Sequence, residues 1–299
     1  MSENEKTETS SDSSWIKWLV LLLIALGLLL GGIYLYFFQP NIIPGIAEFG
    51  PTYEEPVNML LIGVDWNYFV EDEEEKKEEV RADLLLWGQI NPQDKKITII
   101  SIPRHTRVDI DGLEENKVRY SHQEGEIPMT IEAVEEIMGQ EVDYYVRIDF
   151  DSFRGIIDIL DGVDVEFDEP LYDEDLKLEI DRGRQRLDPD TALNYARYIG
   201  EDENELARID RQQKLARAIY DRTLQIETMP RIPRLYQQIM DTVQYIETDI
   251  DQNTVVKTIN LIKTMDEPYP ELYLLPGREF NQYWIINERE KQQLIKIEG

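Results

Sequence analysis

Residues 83–102 read DLLLWGQINPQDKKITIISI. Two apolar runs, Asp83–Asn91 and Lys96–Ile102, flank the turn formers Pro92-Gln93-Asp94-Lys95. The pattern predicts two strands joined by a turn. Upstream, Val57–Val64 (VNMLLIGV) is a third short apolar run, ending at Gly63 and Asp65. It predicts a buried strand that enters a loop. Downstream, the second strand of the pair runs into Pro103-Arg104-His105-Thr106-Arg107. Helical spacing follows over Thr130–Met138 (Ile131, Val134, Ile137), and strand alternation over Tyr144–Phe150. Ser152–Leu160 reads as helix and Gly162–Phe167 as a short strand. Asp188–Tyr198 reads as helix, with Pro189 in the first turn, where a missing N–H costs nothing. Strands and helices alternate through residues 57–225, which predicts a sheet covered by helices.

The flanks differ in character. Residues 1–14 are polar and without apolar periodicity, and predict a disordered tail. Trp18–Phe38 is uncharged over 21 residues. At about 1.5 Å per residue that length spans a bilayer. Trp15, Trp18, Tyr34 and Tyr36 lie toward the two ends of residues 15–38, where interfacial aromatics belong. The run is longer than a secretory leader's apolar region and leads into Phe37-Phe38-Gln39-Pro40, so a retained anchor is expected rather than a cleaved one. Lys6 and Lys17 precede the span and no Lys or Arg follows until Lys76. The N-terminus is therefore expected in the cytoplasm and the main domain outside, at the cell membrane. Residues 39–56 are punctuated by Pro and Gly and read as a linker. Glu71–Glu79 is a charge run, read as a solvated loop. Ile232–Tyr245 and Thr254–Met265 carry helical patterns, and Leu272–Leu275 and Tyr283–Ile286 are strand candidates.

The chain has 299 residues and a net charge of −30. Such a surface repels nucleic acid and anionic lipid. Cysteine is absent, which excludes disulfides and thiolate zinc sites, and two histidines are too few for a histidine-rich metal site. Basic charge is nevertheless concentrated in one place: Asp181–Arg234 holds eleven Lys or Arg against ten Asp or Glu. The centre of that region is Arg197–Gln213, RYIGEDENELARIDRQQ. Leu206–Leu224 is helical, with Leu206, Ile209, Leu215 or Ala216, and Ile219 as its apolar stripe. Arg208, Arg211 and Gln212 then share one face near the helix start, where free N–H groups and the dipole favour anions. Arginine's rigid fork suits phosphate oxygens. The alternative is that these arginines simply pair with Glu201, Asp202, Glu203 and Glu205.

Taken in order, several segments resemble the LytR-CpsA-Psr family of envelope proteins. They are Asn58–Asp65, Arg81-Ala82-Asp83, Ser101–Arg104, Lys117 with the His122 loop, Asp143–Phe153, and the turn at Asp161-Gly162. Leu187-Asp188, Ala192–Arg197 and Arg208–Gln213 complete the set, and Leu275-Pro276-Gly277 fits the tail. The match covers roughly residues 57–225 of an expected domain at 57–299, leaving a C-terminal extension at 226–299. The resemblance implies an α/β fold: a central mixed sheet with helices on both faces, one N-terminal transmembrane helix, and an apolar tunnel for a lipid tail. It implies a phosphotransferase that moves an anionic glycopolymer from a polyprenyl-pyrophosphate carrier to peptidoglycan. Arg81, Arg104, Arg107, Arg197, Arg208, Arg211 and Gln212 would grip the pyrophosphate. Asp83, Arg104 and His105 would be catalytic, and Asp83 with Asp65 would hold Mg²⁺.

Three positions depart from the family's pattern. His105 stands where Asp is usual after the Pro-Arg pair, Glu205 replaces an Asp, and Arg119 and Tyr120 replace small or amide residues after Lys117. A histidine of ordinary pKa at 105 would be a base or donor near neutral pH. The alternative function is a non-catalytic scaffold or envelope regulator that holds the same lipid. A DNA-binding attenuator does not fit an outward-facing acidic domain.

Overall fold

In a computed structural model, residues 53–65, 80–113, 116–200, 205–224, 242, 246–251, 254, 257–258, 261 and 270–296 are described. The expected tail, anchor and linker up to residue 52, and most of the two helical patterns between 232 and 265, lie outside them. Among the described residues no helix is long and apolar enough to cross a membrane. Pro51–Gly299 is one compact unit.

The strands are β1 (Val57–Val64), β2 (Ala82–Asn91), β3 (Lys96–Ile102), β4 (Tyr144–Ile148), β5 (Val163–Phe167) and β6 (Leu171–Asp173). They continue with β7 (Leu178–Ile180), β8 (Gly183–Leu187), β9 (Glu247–Thr248), β10 (Glu271–Leu274), β11 (Gly277–Phe280) and β12 (Tyr283–Ile286). The helices are α1 (Ser121–Met138), α2 (Phe150–Ile159), α3 (Pro189–Arg197), α4 (Glu205–Leu224) and α5 (Glu288–Lys296). Six strands form the central sheet in the order β10-β3-β2-β1-β4-β9. It is mixed, as expected: β1 pairs antiparallel with β2 and parallel with β4. The predicted turn at 92–95 closes the antiparallel β2–β3 pair.

Alternation sets which side chains are buried. Leu60 and Ile62 of β1 lie opposite Trp87 and Leu85 of β2, which face Ile100 and Ile102 of β3. Each is at most 4% exposed. Burying one such side chain contributes about 1.5–3 kcal/mol. Ala133, Val134, Ile137 and Met138 of α1 close this core, with Leu294 and Ile295 of α5 at its margin. The opposite face is also apolar, but Leu61, Leu84, Leu86 and Ile99 there are only half-buried. Helix α4 reaches that face through Gln213, whose Nε2 donates to Ser101 Oγ at 3.0 Å and to the Tyr273 carbonyl at 3.1 Å. A second core joins α2, β5, β7, β8, α3 and the middle of α4 through Ile157, Val163, Leu178, Leu187, Tyr195 and Leu215.

Two predicted boundaries move. The strand expected over 144–150 stops at Ile148, because the Asp149 side chain accepts from Ser152 N and starts α2 at Phe150. The helix expected from Thr130 begins at Ser121 and is broken at Gly125 and Glu126, whose φ values are −145° and 55°. Pro128 follows the break, where the restarted helix tolerates it. The helix at Pro189–Arg197 matches expectation, with Asp188 as its cap, accepting from Thr191 N at 2.8 Å.

Candidate functional site

Strands β1 and β3 both run antiparallel to β2, so their ends and the start of β2 share one edge of the sheet. That edge gathers Asp65, Arg81, Asp83 and Arg104. Asp65 and Arg81 pinch together: Asp65 N donates to the Arg81 carbonyl at 3.2 Å, and Arg81 N donates to Asp65 Oδ1 at 2.8 Å. Between them and the ladder the register slips. Gly63 pairs with Leu84 but Val64 pairs with Ala82, leaving Asp83 as the extra residue of a β-bulge. A bulge re-aims the side chain it carries. Gly63 permits the close approach, since a Cβ there would sit 2.8 Å from Leu84 Cβ. Gly63→Ala should cost about 1–3 kcal/mol through overpacking. It should also lower anion affinity by shifting the start of β2, which carries Arg81 into the site. A denaturation midpoint and a binding isotherm matching wild type would remove the bulge's role.

After β3, Thr106 Oγ1 donates to the Pro103 carbonyl at 2.6 Å, tightening the turn that presents Arg104. The single 3₁₀ turn Val118–Tyr120 hangs from the same turn: Val118 N donates to the Thr106 carbonyl, and Arg119 N to the Arg104 carbonyl. The first turns of α4 supply Glu205 and Arg208. Leu206, expected in the apolar stripe, is 37% exposed, while Arg208 and Arg211 are 4% and 6% exposed. A helix that buries arginine and exposes leucine holds that face for charge, not for packing.

Asp83 is the centre. Its Oδ2 accepts from Arg104 Nη1 at 3.0 Å and lies 3.9 Å from Arg208 Nη1. Its Oδ1 lies 3.1 Å from Arg119 Nη2, and its backbone carbonyl accepts from Arg208 Nη2 at 3.3 Å. Glu205 joins the other side, pairing with Arg208 and lying 3.4 Å from Arg104 Nε. Three guanidiniums (Arg104, Arg119, Arg208) thus meet two carboxylates (Asp83, Glu205), and the Arg81 guanidinium joins Arg119 at the Tyr120 ring. The Nε atoms of all four and Oδ1 of Asp83 are buried without a hydrogen-bond partner. The close Arg119–Asp83 and Arg104–Glu205 approaches are ion pairs without hydrogen-bond alignment. Buried donors left unused at one spot are what an anion would satisfy.

Not every expected residue joins the cluster. Arg197 is exposed and lies over the Phe150 ring, 4.8 Å from its centroid. Arg107 is exposed and lies over Tyr283, which Lys117 also faces. Arg211 donates to the Tyr198 carbonyl at 2.8 Å and Gln212 to the Ala196 carbonyl at 3.3 Å, so both strap α4 to the end of α3. Arg119 was not among the expected ligands. Its only signal in the sequence was a basic residue two positions after Lys117.

Burial raises the Asp65 carboxyl above its usual range, opposed by the Arg81 N–H and reinforced by the charge of Asp83. Burial lowers Arg208, offset in part by Glu205. Burial, then Arg104, Arg119, Lys117 and Arg208, push the His105 imidazole down to about 4. The expectation that His105 titrates near neutrality is therefore corrected: it is uncharged from about pH 5 upward and a weak base there. His122 is likewise pushed down to about 4, by burial first and Arg147 second, with Nδ1 lying 3.4 Å from Thr130 Oγ1. Because this folded value lies below the ordinary 6.5, the unfolded chain takes the proton first. Stability from neutral His122 is complete above that ordinary value and is lost as pH falls toward about 4. Urea midpoints of wild type minus His122→Gln should shrink between pH 7 and 4.5; a constant difference would contradict this.

Mg²⁺ takes oxygen ligands, usually one or two carboxylates with water and substrate phosphate making up the rest. Among the described residues no group of three acidic or histidine side chains could hold a metal ion. Asp83 Oδ1 is nevertheless without a hydrogen bond, and the Asp65 carboxyl, raised first by burial, also feels the negative charge of Asp83. Asp65 and Asp83 are two carboxylates at one end of the sheet, so a cation there would need further oxygens from phosphate and water.

Fold and site together describe a mixed-sheet α/β protein with a buried arginine cluster in an otherwise acidic chain. The chain belongs to the LytR_cpsA_psr family, whose model matches residues 41–297. It is 29% identical over 200 residues to the polyisoprenyl-teichoic acid–peptidoglycan teichoic acid transferase TagV of Bacillus subtilis (strain 168), covering 64% of this chain and 50% of TagV. The chain thus spans half the length of that relative. It is 29% identical over 252 residues to the corresponding transferase TagU of Halalkalibacterium halodurans, covering 74% of this chain and 79% of TagU. The crystal structure of B. subtilis TagV superposes with a TM-score of 0.66 at 22% identity, over 82% of this chain and 96% of that one. TagT bound to LI-WTA gives 0.62 at 23% identity, over 82% and 89%. Both solved structures support the fold.

Proposed function

We propose that this protein is a membrane-anchored phosphotransferase that moves an anionic glycopolymer from a polyprenyl-pyrophosphate carrier to peptidoglycan. The observation that carries the reading is the cluster at Asp83: three guanidiniums on its carboxylate and a fourth, Arg81, beside Arg119 at the Tyr120 ring, all with buried, unused Nε donors. The relatives named as teichoic acid transferases supply the substrate class. The half-buried apolar face of Leu61, Leu84, Leu86 and Ile99 begins beside Asp83 and suits a hydrocarbon tail.

Arg104 and Arg208 hold phosphate oxygens. An acceptor hydroxyl attacks the carrier-distal phosphorus, the bond to the bridging oxygen breaks, and polyprenyl phosphate leaves. Negative charge grows on the equatorial and bridging oxygens, where fixed guanidiniums stabilise it without reorganising. Substrate phosphates take over the arginines that now pair with Asp83, and its carboxylate accepts the hydroxyl proton. Asp83 and Asp65 would hold Mg²⁺, which adds positive charge beside the phosphates. Neutral His105 lends a dipole rather than a proton-accepting site.

The scaffold reading draws on one observation: His105 stands at a position where the family's pattern has a carboxylate, and it is a weak base. The test uses the full-length chain in lipid nanodiscs with a lipid-linked glycan, with and without Mg²⁺, for wild type and His105→Asp. Polymer appearing on peptidoglycan supports transfer. Tight lipid binding with no product from either protein overturns it and leaves the scaffold.

A further inference from the structure

The Asp83 carboxylate divides the arginine cluster. On the Oδ2 side stand Arg104 and Arg208, joined by Glu205. On the Oδ1 side stands Arg119, at 3.1 Å. Arg119 does not stand alone there. Its guanidinium lies over the Tyr120 ring at 5.5 Å from the centroid, and the Arg81 guanidinium lies over the same ring at 5.8 Å. Two like charges near one aromatic ring gain from its electron-rich faces, which offsets part of their repulsion. The Arg119 side chain is 11% exposed, and the Nε atoms of both arginines are buried and unused. Arg119 is also fixed from the backbone, through its N–H on the Arg104 carbonyl. Arg104 and Arg208 pair with Glu205, Arg119 pairs with Asp83, and Arg81 lies against Tyr120; with Asp83 shared between the halves, each holds more guanidinium than carboxylate.

We infer that Arg119, seated with Arg81 on Tyr120, forms a second anion subsite distinct from the Arg104–Arg208 pair, so that the two halves each take one phosphate of a diphosphate. This rests on the proposed function, and it assigns the substrate's two phosphates to separate pairs of side chains. Arg119 is then a specificity residue: it separates ligands with two linked phosphates from ligands with one. A lysine would keep the charge but lose the planar fork that lies on the ring while reaching Asp83.

The experiment is calorimetric titration of the full-length chain in detergent with two probes, inorganic pyrophosphate and inorganic phosphate. Wild type should prefer pyrophosphate. Arg119→Ala and Arg119→Lys should each weaken pyrophosphate binding by about ten- to a hundred-fold. Phosphate, which Arg104 and Arg208 hold unaided, should change by less than about three-fold. Tyr120→Leu, which keeps both charges and removes their seat, should move the preference in the same direction. A merely structural Arg119 would weaken both probes equally, or neither, and either outcome overturns the second subsite. Thermal melting of each variant identifies any that fails to fold, and Arg119→Lys then carries the comparison. If wild type binds neither probe, the anion-site reading itself fails; if wild type prefers pyrophosphate and Arg119 is indifferent, only the subsite does.

Discussion

Arg208→Ala should weaken pyrophosphate binding by about ten- to a hundred-fold and destabilise the fold by about 3–5 kcal/mol. The two effects have separate causes. The first is loss of a charge-assisted donor that is 4% exposed and aimed at the centre of the cluster. The second is what the deletion leaves behind. Glu205, only 13% exposed in its side chain, would keep its charge with Arg104 as its remaining close partner. A buried charge stripped of its partner costs far more than the pair contributes. The double variant Arg208→Met with Glu205→Gln separates them: denaturant midpoints should recover toward wild type while pyrophosphate binding stays weak. Recovery of binding in the double variant would mean that Arg208 serves the fold and not a ligand.

Asp83→Asn should reduce transfer by about 10²–10⁴-fold, the range for losing a positioned base. Pyrophosphate affinity should hold or tighten, because one negative charge leaves a group of four arginines. That opposition, slower turnover with equal or better binding, is the signature sought in a comparison of product formation with equilibrium titration. A parallel loss of both would make Asp83 an organiser of the arginines rather than a participant. His105 supplies the companion measurement. With its imidazole held at about 4, turnover between pH 5.5 and 7.5 should owe no titration step to this residue. His105→Asn should therefore leave the shape of the pH profile unchanged.

Much of this architecture was legible in the chain. Strands β1 to β3 announce themselves because both of their faces are apolar and a turn separates β2 from β3. The buried arginines were legible as residue types, since a helix in so acidic a chain rarely clusters them. Their partners were not. Arg208 and Asp83 are 125 positions apart, and only the sheet's strand order brings them together. The bulge at Asp83 was hidden for another reason: a one-residue slip in register depends on both strands, and neither carries a local mark. Arg107 and Arg197 look equivalent to Arg104 and Arg208 in the sequence, yet each settles on a nearby aromatic ring instead. Arg119 misled in the opposite sense, as a departure from the family's pattern that joins the cluster. Strands β6, β7 and β8 are three to five residues long, too short for periodicity to register.

The double hydrogen bond between Asp65 and Arg81 has a consequence for how the chain tolerates change. It fastens positions 65 and 81 to each other beside the ladder, so their separation is set by their own two bonds. Lengthening a closed loop costs only about 0.6 kcal/mol per doubling. A change in chain length between Asp65 and Arg81 is thus expected to leave Asp83 and its arginines in place as long as these two bonds hold.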